Sequence, residues 1–289
     1  MKCNKGLLAP QQKRCLLVWF LFVCAILADL PHSAARAESN IIRSPIIIAH
    51  RGGRNWAPEN TMAAFKKCIE VGCDGLEFDV QRCKTGELVV IHDEILDRTT
   101  SGTGLVGEKT YDEIRSLDAG KWFSITFSHE TVPTLKEVLD LVDGKLILNV
   151  EIKNAPIFYP GIEDDLIAQL DQYRHPDKVV VSSFDHDLLH RIHLKAPKYK
   201  LALLMVGIPY ELGSYAEKVG AKAWNPNIAE LREDSVKSAH KEGLDVNVWT
   251  LNEPKEWKRA ADIGVDGIIT DDPLGLMEYL KLRTTASAF

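Results

Sequence analysis

The stretch Gly75-Leu76-Glu77-Phe78-Asp79-Val80-Gln81 decides the fold of this chain, because it alternates apolar and polar side chains without a break. In a β-strand successive side chains point to opposite faces, so Glu77 and Asp79 share one face. A strand that lies between helices in a parallel sheet is normally buried on both faces. Two neighbouring buried carboxylates cost several kcal/mol unless a cation lies between them. The stretch therefore predicts a strand whose two carboxylates hold a divalent metal ion.

Candidate strands and helices alternate on both sides of this stretch over most of the 289 residues. Repeated βα units in a chain of this length are typical of a (β/α)₈ barrel of the α/β class. The pattern gives nine candidate strands, one more than the barrel needs. The strands at 76–81 and 88–92 are joined by a turn that is too short for a parallel crossover. We therefore expect either an irregular βα unit at this place or one strand fewer.

Residues 93 to about 133 interrupt the alternation and predict a small inserted subdomain at one end of the barrel. The segment is rich in Thr and Gly, and it carries a patch of large apolar residues formed by Trp122, Phe123, Ile125 and Phe127. The patch would either pack on the barrel or form an exposed apolar rim, and packing is the simpler expectation.

The first 37 residues predict a secretory signal peptide, and residues 38–289 then form one domain. Basic residues precede an apolar run over residues 16–28, and Ala35-Arg36-Ala37 supplies the small residues for cleavage before Glu38. The run is shorter than the ~20 residues that span a bilayer, which favours cleavage over a retained anchor. The mature protein is therefore expected in the periplasm or outside the cell, without stable membrane insertion.

The composition of the mature chain argues against several classes of partner and site. Without residues 1–37 the chain keeps 30 Lys and Arg against 40 Asp and Glu, a net charge near −10. Such a protein is a poor non-specific binder of nucleic acid or anionic lipid. The remaining cysteines, Cys68, Cys73 and Cys83, have no spacing typical of a zinc site. We expect them to be small buried hydrophobic residues.

Other candidate strands also end in polar or ionisable side chains. In a barrel the functional groups gather at the C-terminal ends of the strands and face inward. By the same alternation, Glu151 and Lys153 point inward from one strand and Trp249 from a later one. His50 ends the first strand and His92 ends another. Packing alone does not explain this recurrence, so we expect these side chains to share one end of the barrel.

Together these side chains predict cleavage of a phosphodiester. The candidate metal ligands are all carboxylates: Glu77, Asp79 and Glu151. An all-oxygen site suits Ca²⁺ or Mg²⁺ rather than zinc. Arg51 and Lys153 are cations suited to a phosphate, and His50 and His92 could act as general acid and general base. Taken singly, His50 could be a core histidine, Lys153 a partner of Glu151, and Trp249 a core residue.

Nine short motifs occur in a fixed order: His50-Arg51-Gly52, Pro58-Glu59-Asn60-Thr61, Glu77-x-Asp79, His92-Asp93, Arg98-Thr99-Thr100, Glu151-Ile152-Lys153, Ser182-Ser183-Phe184, Trp249-Thr250 and Thr270-Asp271-x-Pro273. Together they resemble the glycerophosphodiester phosphodiesterase family, over nearly the whole mature chain. The resemblance implies a distorted TIM barrel with a small inserted subdomain. It also implies hydrolysis of small glycerophosphodiesters, such as glycerophosphocholine, to sn-glycerol 3-phosphate and an alcohol.

The resemblance also implies a role for each site residue: one Ca²⁺ or Mg²⁺ on Glu77, Asp79 and Glu151, acid and base at His50 and His92, and phosphate on Arg51 and Lys153. Trp249 is placed beside them as a substrate contact because of its inward direction. The implied route is attack by the glycerol 2-hydroxyl to form a cyclic phosphate, which water then opens. Two other interpretations stay open. One is a phospholipase with the same barrel that acts on lysophospholipids or phosphoinositides, and the other is an inactive barrel that binds a phosphorylated ligand.

Overall fold

The computed structural model describes residues 44–286, so the predicted signal peptide lies outside the described residues. The strands are β1 Ile46–Ala49, β2 Gly75–Arg82, β3 Leu88–Val90, β4 Ile147–Ile152, β5 Val179–Ser183, β6 Lys200–Met205, β7 Ala223–Pro226, β8 Asp245–Val248 and β9 Gly267–Thr270. The α-helices are α1 Met62–Val71, α2 Tyr111–Arg115, α3 Leu135–Val142, α4 Ile162–Leu170, α5 His186–Lys195, α6 Leu212–Val219, α7 Glu233–Lys241, α8 Pro254–Ile263 and α9 Pro273–Ala286. Within residues 44–286, no helix is both long enough and apolar enough to cross a membrane.

Eight of these strands form a closed parallel barrel in the order β1, β2, β4, β5, β6, β7, β8, β9, with β9 paired to β1. A helix follows each barrel strand along the chain, while α2 belongs to the inserted segment. The predicted (β/α)₈ barrel is thereby confirmed. The surplus strand is β3, which pairs antiparallel with β2. The short turn between them requires this direction, since a parallel crossover needs about a dozen residues or more.

Strand β2 carries the acidic residues into the interior of the barrel. Glu77 and Asp79 are only 3% and 1% exposed, although both are carboxylates. The opposite face of β2 is apolar, and Phe78 packs against Phe65 of α1 with ring centroids 5.8 Å apart. In the register with β4, Asp79 lies beside Glu151. The alternation read from the sequence therefore gives the correct direction for each side chain of this strand.

Helix α1, which follows β1, has a defined cap at each end. The Thr61 side chain accepts a hydrogen bond from the backbone N–H of Ala64, and so caps the first turn. Gly72 ends the helix in the left-handed region at φ 77°, where a glycine is favoured. The side-chain amide of Asn60, one residue earlier, donates to Oδ2 of Asp79 at 2.9 Å.

The segment between β3 and α3 is a small subdomain with a core of its own. Its buried residues cluster with two from the β2–β3 hairpin: Cys83, Val89, Ile91, Leu96, Val106, Ile114, Ala119 and Val132. In the apolar patch Phe127 packs against the main core of the barrel. Trp122 and Ile125 are 42% and 65% exposed. The patch thus anchors the subdomain at one residue and faces solvent at two others.

The three cysteines in the described part of the chain are free and buried. Cys68 and Cys73 belong to the main core, and the Cys68 thiol donates to the backbone carbonyl of Gly52 at 3.3 Å. Cys83 lies in the core of the subdomain. Their interpretation as small hydrophobic residues is confirmed.

Candidate functional site

An open cavity lies at the C-terminal end of the barrel strands, with about 470 Å³ of free space when the solvent at its mouth is included. Seven of the predicted site residues line it: His50, Arg51, Glu77, His92, Glu151, Lys153 and Trp249. The eighth, Asp79, is buried next to Glu77 and Glu151. The rest of the lining is Asn149, Phe184, Leu204, Thr250 and Ile269. The structure therefore brings together all eight site residues that were predicted from the sequence.

Three carboxylates form a compact acidic cluster at the base of this cavity. Glu77, Asp79 and Glu151 each offer one oxygen, and these oxygens all lie within 4.8 Å of one another. Oδ1 of Asp79 is buried and has no hydrogen-bond partner. A buried carboxylate oxygen without a partner is costly, and a bound cation would satisfy it. The residues present therefore fit a hard divalent cation with oxygen ligands, such as Ca²⁺ or Mg²⁺.

The electrostatics of the cluster differ from one carboxylate to the next. Burial, followed by the neighbouring Asp79 charge, raises the pKa of Glu77 well above its ordinary value and that of Glu151 to about 7. Burial also opposes ionisation of Asp79, but the charges of Arg51, His92 and Lys153, together with the hydrogen bond from Asn60, outweigh burial and leave the Asp79 pKa below its ordinary value. Without a cation the cluster therefore tends to retain protons. A bound divalent cation would favour the ionised form of all three.

Arg51 holds the acidic cluster from the side of β1. Its backbone N–H donates to Oε2 of Glu77 at 2.8 Å, and its Nε lies 3.4 Å from Oδ2 of Asp79. Its Nη1 donates to Oε1 of Glu59 at 2.8 Å. The residue adopts a left-handed backbone conformation at φ 49°, which is strained for a side chain of this size. Contacts of both the backbone N–H and the guanidinium group hold Arg51 in this conformation.

Lys153 lies between the acidic cluster and one of the histidines. Its Nζ donates to Oε1 of Glu151 at 2.9 Å, so the pairing considered as an alternative does exist. The same ammonium group lies 3.3 Å from Nε2 of His92 and 4.0 Å from Oδ1 of Asp79. Burial lowers the Lys153 pKa, but the Glu151 and Asp79 charges outweigh burial and raise it. The side chain therefore stays cationic and faces the cavity.

Each predicted catalytic histidine is paired with a carboxylate through Nδ1. His50 Nδ1 is 2.7 Å from Oδ1 of Asp271, and His92 Nδ1 is 2.7 Å from Oδ1 of Asp93. A carboxylate can only accept, so Nδ1 carries a proton and Nε2 is left to exchange one. Nε2 of His50 lies 3.9 Å from Glu77. Nε2 of His92 lies 3.3 Å from Nζ of Lys153, so His50 borders the acidic cluster directly and His92 borders it through Lys153.

His92 reaches the cavity by a route that the sequence did not indicate. The expectation placed it at the end of a strand over 88–92, but β3 ends at Val90 and runs antiparallel to β2. The backbone N–H of Ile91 donates to the carbonyl of Asp79 at 3.0 Å, and this bond holds the loop beside the acidic cluster. Gln81 supports the same loop, because its Nε2 lies within 3.1 Å of the backbone carbonyls of residues 91–93.

Four partners of the site had no role assigned from the sequence: Glu59, Asp93, Arg98 and Asp271. Glu59 is 4% exposed and contacts both Arg51 and Arg98. All four belong to the nine ordered sequence motifs, and this membership could have identified them as candidate site residues. Asp271 also directly follows β9, and inward residues gather at such positions in a barrel.

The opposite wall of the cavity is apolar. Phe184 and Trp249 meet edge to face, with ring centroids 5.7 Å apart and an interplanar angle of 86°. Trp249 is anchored because its Nε1 donates to the backbone carbonyl of Asn225 at 2.7 Å. The cavity thus offers charged groups on one side and aromatic carbon on the other, an arrangement suited to an anionic group with an organic substituent.

Comparisons with a family model and with known proteins point to the same family. Residues 50–274 match the model of the glycerophosphoryl diester phosphodiesterase family. A glycerophosphodiester phosphodiesterase of Caldanaerobacter subterraneus is 41% identical over 237 residues, which cover 82% of this chain and 98% of the relative. One from Bacillus altitudinis is 40% identical over 231 residues, covering 78% of this chain and 94% of the relative.

Solved structures show the same fold. An Oleispira antarctica phosphodiesterase in complex with the product sn-glycerol-3-phosphate superimposes with a TM-score of 0.77 at 27% identity, covering 82% of this chain and 97% of that one. The crystal structure of a glycerophosphodiester phosphodiesterase from Agrobacterium tumefaciens gives a TM-score of 0.69 at 29% identity, with coverages of 79% and 97%.

Proposed function

The chain belongs to the glycerophosphoryl diester phosphodiesterase family, and from this premise we propose that it hydrolyses glycerophosphodiesters to sn-glycerol 3-phosphate and an alcohol with one bound divalent cation. The chain is accordingly an enzyme, a glycerophosphodiester phosphodiesterase. The observation that carries the metal dependence is the buried acidic cluster, in which Asp79 Oδ1 has no partner.

Glu77, Asp79 and Glu151 would hold the cation, and Ca²⁺ and Mg²⁺ both suit their oxygen atoms. When bound, the cation supplies positive charge against the negative charge that builds on the phosphoryl oxygens during the reaction. Arg51 and Lys153 add two further positive charges on the same side of the cavity, where they bind and orient the phosphoryl group.

His50 and His92 would move the protons. One Nε2 accepts the proton of the attacking hydroxyl, and the other donates a proton to the oxygen of the leaving alcohol. If the glycerol 2-hydroxyl attacks first and water opens the resulting cyclic phosphate, the histidines exchange roles between the two steps. The carboxylates at Nδ1, Asp271 and Asp93, hold each ring in one tautomer and in one orientation.

We place this activity outside the cytoplasm. The basic residues and the apolar run of residues 1–37 support export, with residues 38–289 as the mature enzyme. In the periplasm or the medium, the substrates would be small soluble products of phospholipid breakdown.

A second candidate substrate class is the lysophospholipids, and exposed apolar residues favour a test of it. In the subdomain Ile125 is 65% exposed, and Phe158 in the loop after β4 is 69% exposed. Both belong to segments that follow barrel strands, and contiguous exposed apolar surface is typical of proteins that bind lipid or apolar ligands.

The test is the release of sn-glycerol 3-phosphate from glycerophosphocholine by chelator-treated protein, before and after addition of Ca²⁺ or Mg²⁺. We expect turnover only with the cation, and turnover without it would refute the metal assignment. Lysophosphatidylcholine and phosphatidylinositol tested in parallel separate the two substrate classes.

Variants test the histidines in the same assay. His50→Asn and His92→Asn should each lose at least ~100-fold in kcat, since general acid–base catalysis contributes roughly 10²- to 10⁴-fold. The control is His240→Asn, because His240 also pairs with an aspartate, Asp266, at 2.8 Å but lies on α7. Near-normal kcat in either site variant removes that histidine from the mechanism.

A further inference from the structure

Arg98, in the inserted subdomain, binds two carboxylates at once. Its Nε donates to Oδ2 of Asp93 at 2.6 Å, and its Nη2 donates to Oδ1 at 3.0 Å. On its other edge Nη1 and Nη2 donate to the two oxygens of Glu59 at 2.9 and 2.8 Å. Only the planar fork of a guanidinium group can make both bidentate contacts together.

Glu59 is the fixed end of this arrangement. It is 4% exposed, and it also receives Nη1 of Arg51 at 2.8 Å and Nε of Arg54 at 3.0 Å. Burial opposes its ionisation, but the hydrogen bonds from Arg98 and the charge of Arg51 outweigh burial and lower its pKa to about 2. An ionised carboxylate held by three guanidinium groups keeps its position when one of them is removed.

Asp93 is the end that can move. Its side chain is 21% exposed, and its contacts within hydrogen-bond distance are His92 Nδ1 and Arg98. The backbone of the loop is already held by Gln81, whose own carbonyl oxygen accepts from Tyr159 at 2.8 Å. Arg98 therefore acts on the direction of the Asp93 carboxylate and not on the path of the chain.

We propose that Arg98 is a positioning residue of the reaction, which holds Asp93 so that His92 keeps its proton on Nδ1 and presents Nε2 to the cavity. The proposal rests on the proposed role of His92. Without Arg98 the Asp93 side chain can turn towards solvent, and the imidazole loses its orientation and its fixed tautomer. Arg51 keeps its contacts with Glu59, Glu77 and Asp79, so substrate binding is expected to change little.

The effect of Arg98 on kcat distinguishes a positioning role from a purely structural role of the same ion pairs. A latch between the subdomain and the barrel would lower stability without changing kcat. Arg115 offers a matched control, because it lies in the same subdomain and pairs with Glu137 at 3.0 Å. The Arg98 and Arg115 side chains are also equally exposed, at 39% and 40%.

The experiment measures kcat and KM for glycerophosphocholine in Arg98→Ala, Asp93→Ala, the double variant and Arg115→Ala. We expect Arg98→Ala to lose roughly 10- to 100-fold in kcat, with KM within about threefold of wild type. Because Arg98 acts through Asp93, the double variant should be no more than about threefold slower than Asp93→Ala alone.

Rescue provides a second readout. Added methylguanidinium should restore part of the kcat of Arg98→Ala, and it should not help Asp93→Ala or Arg115→Ala. Arg98→Lys keeps the charge but not the double fork, so it should fold and remain slow. This variant keeps the test decisive if Arg98→Ala is poorly folded.

Three results would overturn the proposal: a kcat of Arg98→Lys equal to that of Arg115→Ala, a loss that falls on KM alone, or losses that multiply in the double variant. The proposed function fails separately. If His92→Asn keeps its activity, the role of His92 is wrong. If His92→Asn is inactive and both Arg98 variants are normal, only the Arg98 proposal is wrong.

Discussion

Replacing Glu151 by Gln should stabilise the metal-free protein at pH 8, although it removes a proposed metal ligand. In the absence of a cation, burial and then the Asp79 charge raise the pKa of Glu151 from 4.5 to about 7. At 1.36 kcal/mol per pKa unit, this difference corresponds to an unfavourable contribution on the order of 3 kcal/mol once Glu151 is ionised. Gln has the shape of the neutral acid and carries no charge, so it avoids this cost.

The sign follows from proton binding. A carboxyl group whose pKa is higher in the folded state binds more protons when folded, so its contribution to stability falls as the pH rises from about 4.5 to about 7. The wild-type protein in chelator should therefore lose on the order of 3 kcal/mol between pH 4.5 and 8 from this group, and Glu151→Gln should not. A cation at 100 times its Kd returns about 2.7 kcal/mol to the wild type and less to the variant.

Urea unfolding followed by tryptophan fluorescence, at pH 5 and pH 8 with chelator or with Mg²⁺, measures both effects. The control is Glu163→Gln. Glu163 is another buried glutamate; burial opposes its ionisation, but a backbone hydrogen bond and the hydrogen bonds from Arg191 and Lys195 outweigh burial and hold its pKa below the ordinary value. Its replacement should therefore destabilise the protein at pH 8. The reasoning is refuted if Glu151→Gln in chelator is no more stable than the wild type at pH 8.

Two further variants test the orientation of His50 and the end of α1. Asp271→Asn should lower kcat at least ~10-fold with little change in KM, because an amide no longer fixes the proton of His50 on Nδ1; an unchanged kcat would exclude that role. Gly72→Ala should lower the free energy of unfolding by about 1 kcal/mol, because Gly72 has φ 77°, while kcat stays the same. A urea midpoint of unfolding equal to that of the wild type would contradict this estimate.

The inward direction of the acidic residues could be predicted, because the two-residue period of a strand is a local property. Glu77, Asp79 and Glu151 were assigned correctly to one face on that basis alone. The partner of His50 could not be found in this way. Asp271 is 221 positions away in the sequence, and it becomes a neighbour only when β9 closes the barrel against β1.

The irregular segment was less predictable, for a related reason. Arg98 follows no strand or helix period that would fix its direction, and its contacts depend on how the subdomain folds back over Glu59. The antiparallel direction of β3 could have been chosen from the length of the turn alone. The antiparallel direction of β3 also determines how His92 reaches the cavity.

The hydrogen bonds of Gln81 have a consequence for how this scaffold can be altered. The Gln81 side chain on β2 binds the backbone carbonyls of residues 91–93. The backbone position of His92 therefore does not depend on most of the subdomain, which follows His92 in the sequence. Exchange of the segment beyond Arg98 should therefore leave the backbone of His92 in place, while the direction of its ring stays dependent on the contact between Arg98 and Asp93.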